Sequence, residues 1–311
     1  MTLFLLLVLA RWSHFAAVFV LFGSSFFWLY MGSERPSVGS GALPRAQHAT
    51  MILLRIAAPV AVLSGIAWLA GILANIAGGW DSVVDLATLR LFFFATQFGP
   101  IAMLRLILFG IVLAIAVLPS TNRAWFAAQV CVAGLLLISQ AWLGHAAEGG
   151  AGTYGALMII AYSLHLLASA AWVGSLMPLV LVLSELRHVD PHDTPERSLA
   201  IMSRYSLMAL VAATVTIASG IANAGFRVDD AFDKFFWTAY GSVLGAKLFV
   251  VALMLALASV NRFVAMPRLR IAAAQNMTQM TWLRGSVASE LILGLLVLGI
   301  AAVLGITPPP Q

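Results

Sequence analysis

The stretch YGALMIIAYSLHLLASAAWVGSLMPLVLVLS at Tyr154–Ser184 decides the fold class, because it contains no acidic side chain and no arginine or lysine. About 20 apolar residues are enough for a helix to cross the hydrocarbon core of a bilayer. Transmembrane strands are much shorter and alternate between apolar and polar residues. The stretch therefore predicts a membrane-spanning helix, and similar runs elsewhere in the chain predict an all-α, polytopic membrane protein.

The composition excludes a soluble globular protein. The 311 residues are 62% hydrophobic and only 9% charged, whereas average proteins have about 25% charged residues. The single cysteine, Cys131, excludes a disulfide framework and a CxxC metal site. The chain also has no nucleotide-binding or zinc-protease motif. The net charge of +5 does not indicate nucleic acid, because the basic residues cluster in alternate loops as topology signals do.

Eight spans are predicted from the apolar runs. They are Phe4–Tyr30, Met51–Ala74, Phe98–Leu118, Trp125–Leu143, Tyr154–Ser184, Tyr205–Gly225, Tyr240–Phe263 and Gly285–Ile306. The first run is a span rather than a cleaved signal, because no small-residue cleavage site follows it. The stretch Asp85–Gln97 either extends the third helix or lies at the membrane interface.

The distribution of arginines predicts the orientation. The loops after the first, third, fifth and seventh spans contain Arg35, Arg45, Arg123, Arg187, Arg197, Arg268 and Arg270. The positive-inside rule places these loops in the cytoplasm and both termini outside. We expect one integral membrane domain over residues 1–311.

Histidines at matching depths predict a metal path. His14 and His165 both lie about 15 Å from the outer ends of their helices. His145 and Glu148 lie at the outer mouth, and Met158 lies one to two turns outward of His165. Imidazole suits copper, zinc and iron, and thioether suits Cu(I). The alternative is that each histidine donates one hydrogen bond between helices.

Further polar residues inside the spans form a predicted supporting core. They are Arg11, Arg105, Tyr162, Trp172, Lys247, Asn261 and Glu290. Polar groups in hydrocarbon usually face the interior of a bundle. For Glu290 we expect an ion pair with Arg55, Arg204 or Arg262, with a proton relay as the alternative. Lys247 either holds an anionic group or pairs with a buried carboxylate; the alternative is that it extends to the outer interface.

Short motifs follow one another in a specific order along nearly the whole chain. They are RWSH at Arg11–His14, TQFG and an arginine at Thr96–Arg105, GHA at Gly144–Ala146, HLLASAAWVG at His165–Gly174, SGIAN at Ser219–Asn223, YG and a lysine at Tyr240–Lys247, NRF at Asn261–Phe263, PRL at Pro267–Leu269 and SVASE at Ser286–Glu290. In this order they resemble the copper resistance protein D (CopD) family of bacterial inner-membrane proteins.

The resemblance implies eight helices and a role in copper homeostasis. It implies transport of a copper ion from the periplasm to the cytoplasm, beside a periplasmic copper carrier of the CopC type, and no catalysis. We expect that carrier to be a separate protein here. His145 and Glu148 would receive the ion, and His14 and His165 would hold it near mid-membrane.

Two other functions stay open at the level of the sequence. Two histidines at equal depth on different helices are also what axial ligation of haem b needs, so a membrane redox protein is the alternative to transport. A scaffold that docks a periplasmic partner without transporting anything is the third reading.

Overall fold

Eight helices that are long and apolar enough to cross a membrane are present in the computed structural model, which describes residues 3–31, 43–118, 122–143, 149–150, 152–186, 194–226, 238–271 and 277–307. The spans are Leu3–Met31, Pro44–Ala77, Gly99–Val117, Arg123–Leu143, Thr153–Leu186, Leu199–Gly225, Ala239–Arg268 and Met280–Leu304. The described residues contain no strand. The prediction of an all-α bundle with eight spans is confirmed.

The described residues form eleven α-helices, with short 3₁₀ and π-helical turns among them. They are α1 Leu3–Met31, α2 Pro44–Ala77, α3 Leu86–Ala95, α4 Gly99–Val117, α5 Arg123–Ile138, α6 Thr153–Gly174, α7 Leu176–Leu186, α8 Thr194–Gly225, α9 Ala239–Val260, α10 Met266–Ile271 and α11 Met277–Leu304. The 3₁₀ turns are Trp80–Val83 and Ser139–Leu143, and a π-helical turn covers Asn261–Ala265.

The stretch that the sequence left ambiguous is a separate short helix, α3. Asp85 caps it, because its carboxylate accepts hydrogen bonds from the backbone N–H and the hydroxyl of Thr88, at 2.8 and 2.6 Å. Such a cap satisfies a backbone donor that the first helical turn leaves without a partner. A break at Thr96–Phe98 then separates α3 from α4.

The fifth span is broken into α6 and α7 at Ser175. Ser175 is fully buried, and its hydroxyl donates to the carbonyl of Gly23 in α1 at 2.9 Å. Gly23 and Gly174 lie side by side, so that a Cβ on either one would collide with the backbone of the other helix. Small residues allow helices in membranes to approach this closely.

Helix α1 packs against α2, α5, α6, α7 and α11. It therefore contacts helices from both halves of the chain, and buried apolar residues from α1 to α11 form one continuous core.

Candidate functional site

His14 lies in a buried hydrogen-bonded group with Arg105. His14 is 2% exposed and Arg105 is fully buried. The Arg105 guanidinium donates through Nη2 to His14 Nε2 at 2.6 Å, and through Nη1 to Leu136 O at 3.0 Å and Ser139 Oγ at 2.7 Å. All three acceptors are neutral, so the positive charge of Arg105 is stabilised by the dipoles of these three groups.

The chemistry of these partners identifies the tautomer of His14. Arginine has only donors, so Nε2 is the acceptor and carries the lone pair of the ring. Nδ1 lies 2.8 Å from the carbonyl of Ala61 and must donate its proton to it. Both ring nitrogens are thus used, and a metal ion at Nε2 would have to displace Arg105.

A second guanidinium lies close to this group. Arg11 donates through Nη1 to the carbonyl of Gly305 at 3.0 Å. The Cζ atoms of Arg11 and Arg105 each lie 5.5 Å from the ring centroid of Trp68. An indole face attracts cations, so Trp68 stabilises both arginines. Two positive charges around His14 make its surroundings repulsive for a further cation.

His165 lies on the seam between α6 and α8. Its Nδ1 is 2.9 Å from the carbonyl of Thr216, which can only accept, so Nδ1 carries a proton and donates it. Ser169 Oγ is 3.3 Å from Thr216 Oγ1 on the same seam. Ser219 Oγ is 3.4 Å from His165 Nδ1 and also contributes a polar atom there.

Met158, Tyr162 and Tyr154 lie toward the end of the same seam that the arginine distribution assigns to the outside. Met158 is 6% exposed and packs with Tyr162 and Phe226. The hydroxyl of Tyr154 donates to the carbonyl of Phe226 at 3.4 Å, with the rest of its side chain exposed. His145 and Glu148 lie outside the described residues, and their role as ligands stays a prediction.

At the other end of the seam, Trp172 borders a cavity of about 270 Å³ that residues of α8, α9, the π-helical turn and α11 also line. The indole is 3% exposed, and the hydroxyl of Tyr205 donates to the carbonyl of Trp172 at 3.3 Å. This cavity lies on the side that the arginine distribution assigns to the cytoplasm.

Glu290 in this cavity has a different partner from the one that the sequence predicted. Its carboxylate accepts a short hydrogen bond from the Asn261 amide. Arg262 instead donates to Ser206 Oγ at 2.7 Å. The predicted ion pair with an arginine was wrong, because the π-helical turn at Asn261–Ala265 brings the asparagine toward α11.

Lys247 lies on a partly interior face of α9. Tyr240, Met254 and Asn261 on this face are buried, whereas Lys247 is half-buried. The prediction that these residues share a face is consistent with this burial.

The predicted ligands His14 and His165 make their contacts with different helices. His14 bonds to Ala61 in α2 and Arg105 in α4, and His165 bonds to Thr216 in α8. Among the residues that the structure describes, no three His, Cys, Asp or Glu side chains lie close enough together to hold a metal ion. The joint histidine site stays a prediction, and no contact in the described structure favours the haem alternative.

Several residues of the site were not predicted from the sequence. Met202 and Met266 both line the cavity beside Glu290, although they are far apart in the chain. Methionine is common in membrane cores as a filler, so only the folded arrangement distinguishes this pair. Trp68 and Ser139 give no signal of their own in the sequence, because their role comes from the arginines beside them.

Comparison with known proteins identifies the family. Residues 1–156 match the model of the copper resistance protein D-like N-terminal domain, and residues 199–304 match the model of copper resistance protein D. No solved structure matches this chain significantly.

Three curated relatives are similar to the chain. Copper transport protein CutJ of Bacillus subtilis is 33% identical over 76% of this chain, which spans only 42% of the length of CutJ. Inner membrane protein YebZ of Escherichia coli is 26% identical over 91% of this chain and 94% of its own length. Copper resistance protein D of Pseudomonas syringae is 27% identical over 97% of this chain and 96% of its own length. The chain belongs to the copper resistance protein D family of multi-pass inner-membrane proteins.

Proposed function

We propose that this protein moves copper from the periplasm to the cytoplasm along the seam between α6 and α8. The observation that carries the proposal is the run of polar side chains along this seam, which contains no charged group between Tyr154 and Trp172 on α6. Tyr154, His165 and Trp172 follow one another along α6, from the predicted outer end to the cavity. At 1.5 Å per residue this path covers about 27 Å, close to the thickness of about 30 Å of a hydrocarbon core.

His165 is the proposed ligand near mid-membrane. When the ring is neutral, its lone pair is on Nε2, because Nδ1 donates to the carbonyl of Thr216. Met158 lies outward of it on the same helix and contributes a soft thioether, which suits Cu(I). His145 and Glu148 are proposed to receive the ion at the outer mouth, from a periplasmic copper carrier of the CopC type.

His14 has a different role in this proposal. Its Nε2 accepts from Arg105, and two guanidiniums flank the same indole. Ligation of copper by His14 would require Arg105 to withdraw from a fully buried position. We therefore place His14 among the residues that hold α1, α2 and α4 together, and His165 on the path of the ion.

Copper accumulation in cells tests this assignment. Cells that express the protein are expected to accumulate more copper than cells without it, and a co-expressed CopC-type carrier is expected to raise this accumulation. His165→Ala should abolish the gain at equal expression. His14→Gln, whose amide can still bond to Arg105, should retain most of it. Unchanged accumulation in His165→Ala, or complete loss only in His14→Gln, would contradict the proposed path.

A further inference from the structure

The cavity beside Glu290 is lined by two buried residues whose polar atoms have no hydrogen-bond partner among the described residues. These atoms are Asn261 Oδ1 and Trp172 Nε1. Asn261 is 4% exposed. Buried polar groups are usually hydrogen-bonded, and an exception calls for a water or an ion that satisfies it. The amide oxygen is an acceptor, so it calls for a donor or a cation.

The cavity also contains a buried carboxylate, that of Glu290. Glu290 is 3% exposed, and its partner, the Asn261 amide, is neutral. A buried carboxylate is costly unless a positive charge compensates for it. Tyr205 and Arg262 are the other titratable groups among the described residues that line the cavity. The Arg262 guanidinium donates to Ser206 Oγ and lies over the ring of Phe263, with 5.9 Å between Cζ and the centroid.

Two methionine thioethers, which are soft metal ligands, line the cavity. Met202 from α8 and Met266 from α10 are both buried and both line this cavity. Thioether sulfur selects Cu(I) over hard cations such as Mg²⁺ and Ca²⁺. The volume of about 270 Å³ is several times that of a water molecule, which occupies about 30 Å³ in the liquid. An ion can therefore enter without expansion of the bundle.

The backbone at this place is also unusual. The π-helical turn Asn261–Ala265 interrupts the seventh span directly beside the cavity and leads into α10 with Met266. Single π-helical turns inside α-helices are rare and frequently lie at functional sites. Here the turn presents Asn261 to Glu290 and places Met266 against the same space.

We infer that Met202, Met266, Asn261 and Glu290 form a second intramembrane site, which binds Cu(I) on the cytoplasmic side of the path. This inference rests on the proposed function, because it assigns the inner end of the same path. The thioethers bind the soft ion, the Asn261 amide oxygen completes its coordination, and Glu290 compensates for its charge.

Titration of the purified full-length protein in detergent with Cu(I), under ascorbate and against a colorimetric Cu(I) chelator, tests the site. The double variant Met202→Leu/Met266→Leu is expected to lose one Cu(I) equivalent or to bind it at least about tenfold more weakly. The matched control is Met208→Leu/Met254→Leu, which replaces two buried methionines of α8 and α9 that do not line the cavity. Equal Cu(I) binding by the two double variants would overturn the inference.

A second measurement does not depend on how the double variant folds. X-ray absorption of Cu(I)-loaded Met158→Leu protein, which lacks the thioether of the outer path, should show sulfur neighbours of copper. Nitrogen and oxygen neighbours alone, at every loading, would overturn the inference. Glu290→Gln keeps the size of the side chain and removes its charge, and it should weaken Cu(I) binding. If Glu290→Gln changes the pH dependence of uptake but not Cu(I) binding, Glu290 carries protons and the metal site is wrong.

Failure of this inference is distinguishable from failure of the transport proposal. Uptake in cells together with unaltered Cu(I) binding by the methionine variant removes the inner site and leaves transport intact. Loss of Cu(I) binding in that variant, together with no uptake by the wild-type protein, removes transport and leaves a copper-binding membrane protein.

Discussion

Arg105 is a charged side chain that is fully buried in a span, with neutral acceptors for three hydrogen bonds. Its depth was predicted from the sequence, and so was the depth of His14. The hydrogen bond between the two residues was not predicted. They are 91 residues apart in the chain, and the bond depends on how their two helices are rotated against each other. Periodicity shows which residues share a helical face but not which neighbouring helix that face meets.

Replacement of Arg105 by lysine tests this network. A single ammonium cannot reach His14, Ser139 and the carbonyl of Leu136 with the geometry of a planar guanidinium. Hydrogen bonds to charged groups contribute about 1.5–3 kcal/mol each to stability. We therefore expect Arg105→Lys to lower the free energy of unfolding by about 2 kcal/mol or more. The measurement is the melting temperature of the purified protein, with the exposed Arg90→Lys as control. Equal melting temperatures for the two variants would contradict a stabilising role.

At the scale of the elements, the spans were predictable because each needs a long apolar run, and the hydrocarbon core sets its length. The break between α6 and α7 and the π-helical turn were not predicted. Both lie inside apolar runs, and tertiary contacts stabilise them. Ser175 bonds to the carbonyl of Gly23 in α1, and Asn261 bonds to Glu290 in α11.

Gly23 sets the distance between α1 and α6. A Cβ at this position would collide with the carbonyl of Ala170 and the backbone of Gly174. We expect Gly23→Ala to destabilise the protein by about 1–3 kcal/mol, the usual cost of overpacking. Gly110→Ala is the matched control, because nothing lies within 4 Å of the added Cβ. Alanine also favours a helix over glycine by about 1 kcal/mol. The account of this contact fails if thermal unfolding shows Gly23→Ala to be as stable as Gly110→Ala.

Asp85 makes the stability of α3 pH-dependent. The hydroxyl and the backbone N–H of Thr88 donate to its carboxylate, and these bonds hold the pKa of Asp85 below its ordinary value, which is about 3.9. The cap therefore stabilises α3 above that ordinary value, and the stabilisation is lost as the pH falls through the lowered pKa. Amide hydrogen exchange of residues 86–90 should show this loss of protection. Asp85→Ala should show low protection across the same range, and identical profiles for the two proteins would exclude the cap.

At the scale of the whole molecule, the polar groups fall into two regions with different chemistry. Around Trp68, two arginines and His14 form a positively charged cluster that bonds to α2, α4, α5 and the end of α11. Along α6 and α8, a seam leads from Tyr154 through His165 to the cavity that Glu290 and Arg262 line. The two positive charges of the first region repel a cation, and the proposed path therefore follows the second region.

The family and the bundle were predictable from the order of short motifs and from the apolar runs. The path was only partly predictable. The stripe on α6 with Met158, His165 and Trp172 was identified from its spacing, but the partners of His14 and Glu290 and the thioethers of the cavity were not. Those features arise where helices distant in the chain meet, and one sequence contains no measure of that proximity.

Copper flux into proteoliposomes tests the central claim most directly, since it needs no other cellular component. The purified protein is reconstituted into vesicles that enclose a Cu(I)-responsive dye, and Cu(I) is supplied outside under ascorbate. The account predicts faster filling than in protein-free vesicles, and a return to the protein-free rate with His165→Ala. Filling by the wild-type protein at the protein-free rate would contradict copper transport through this bundle.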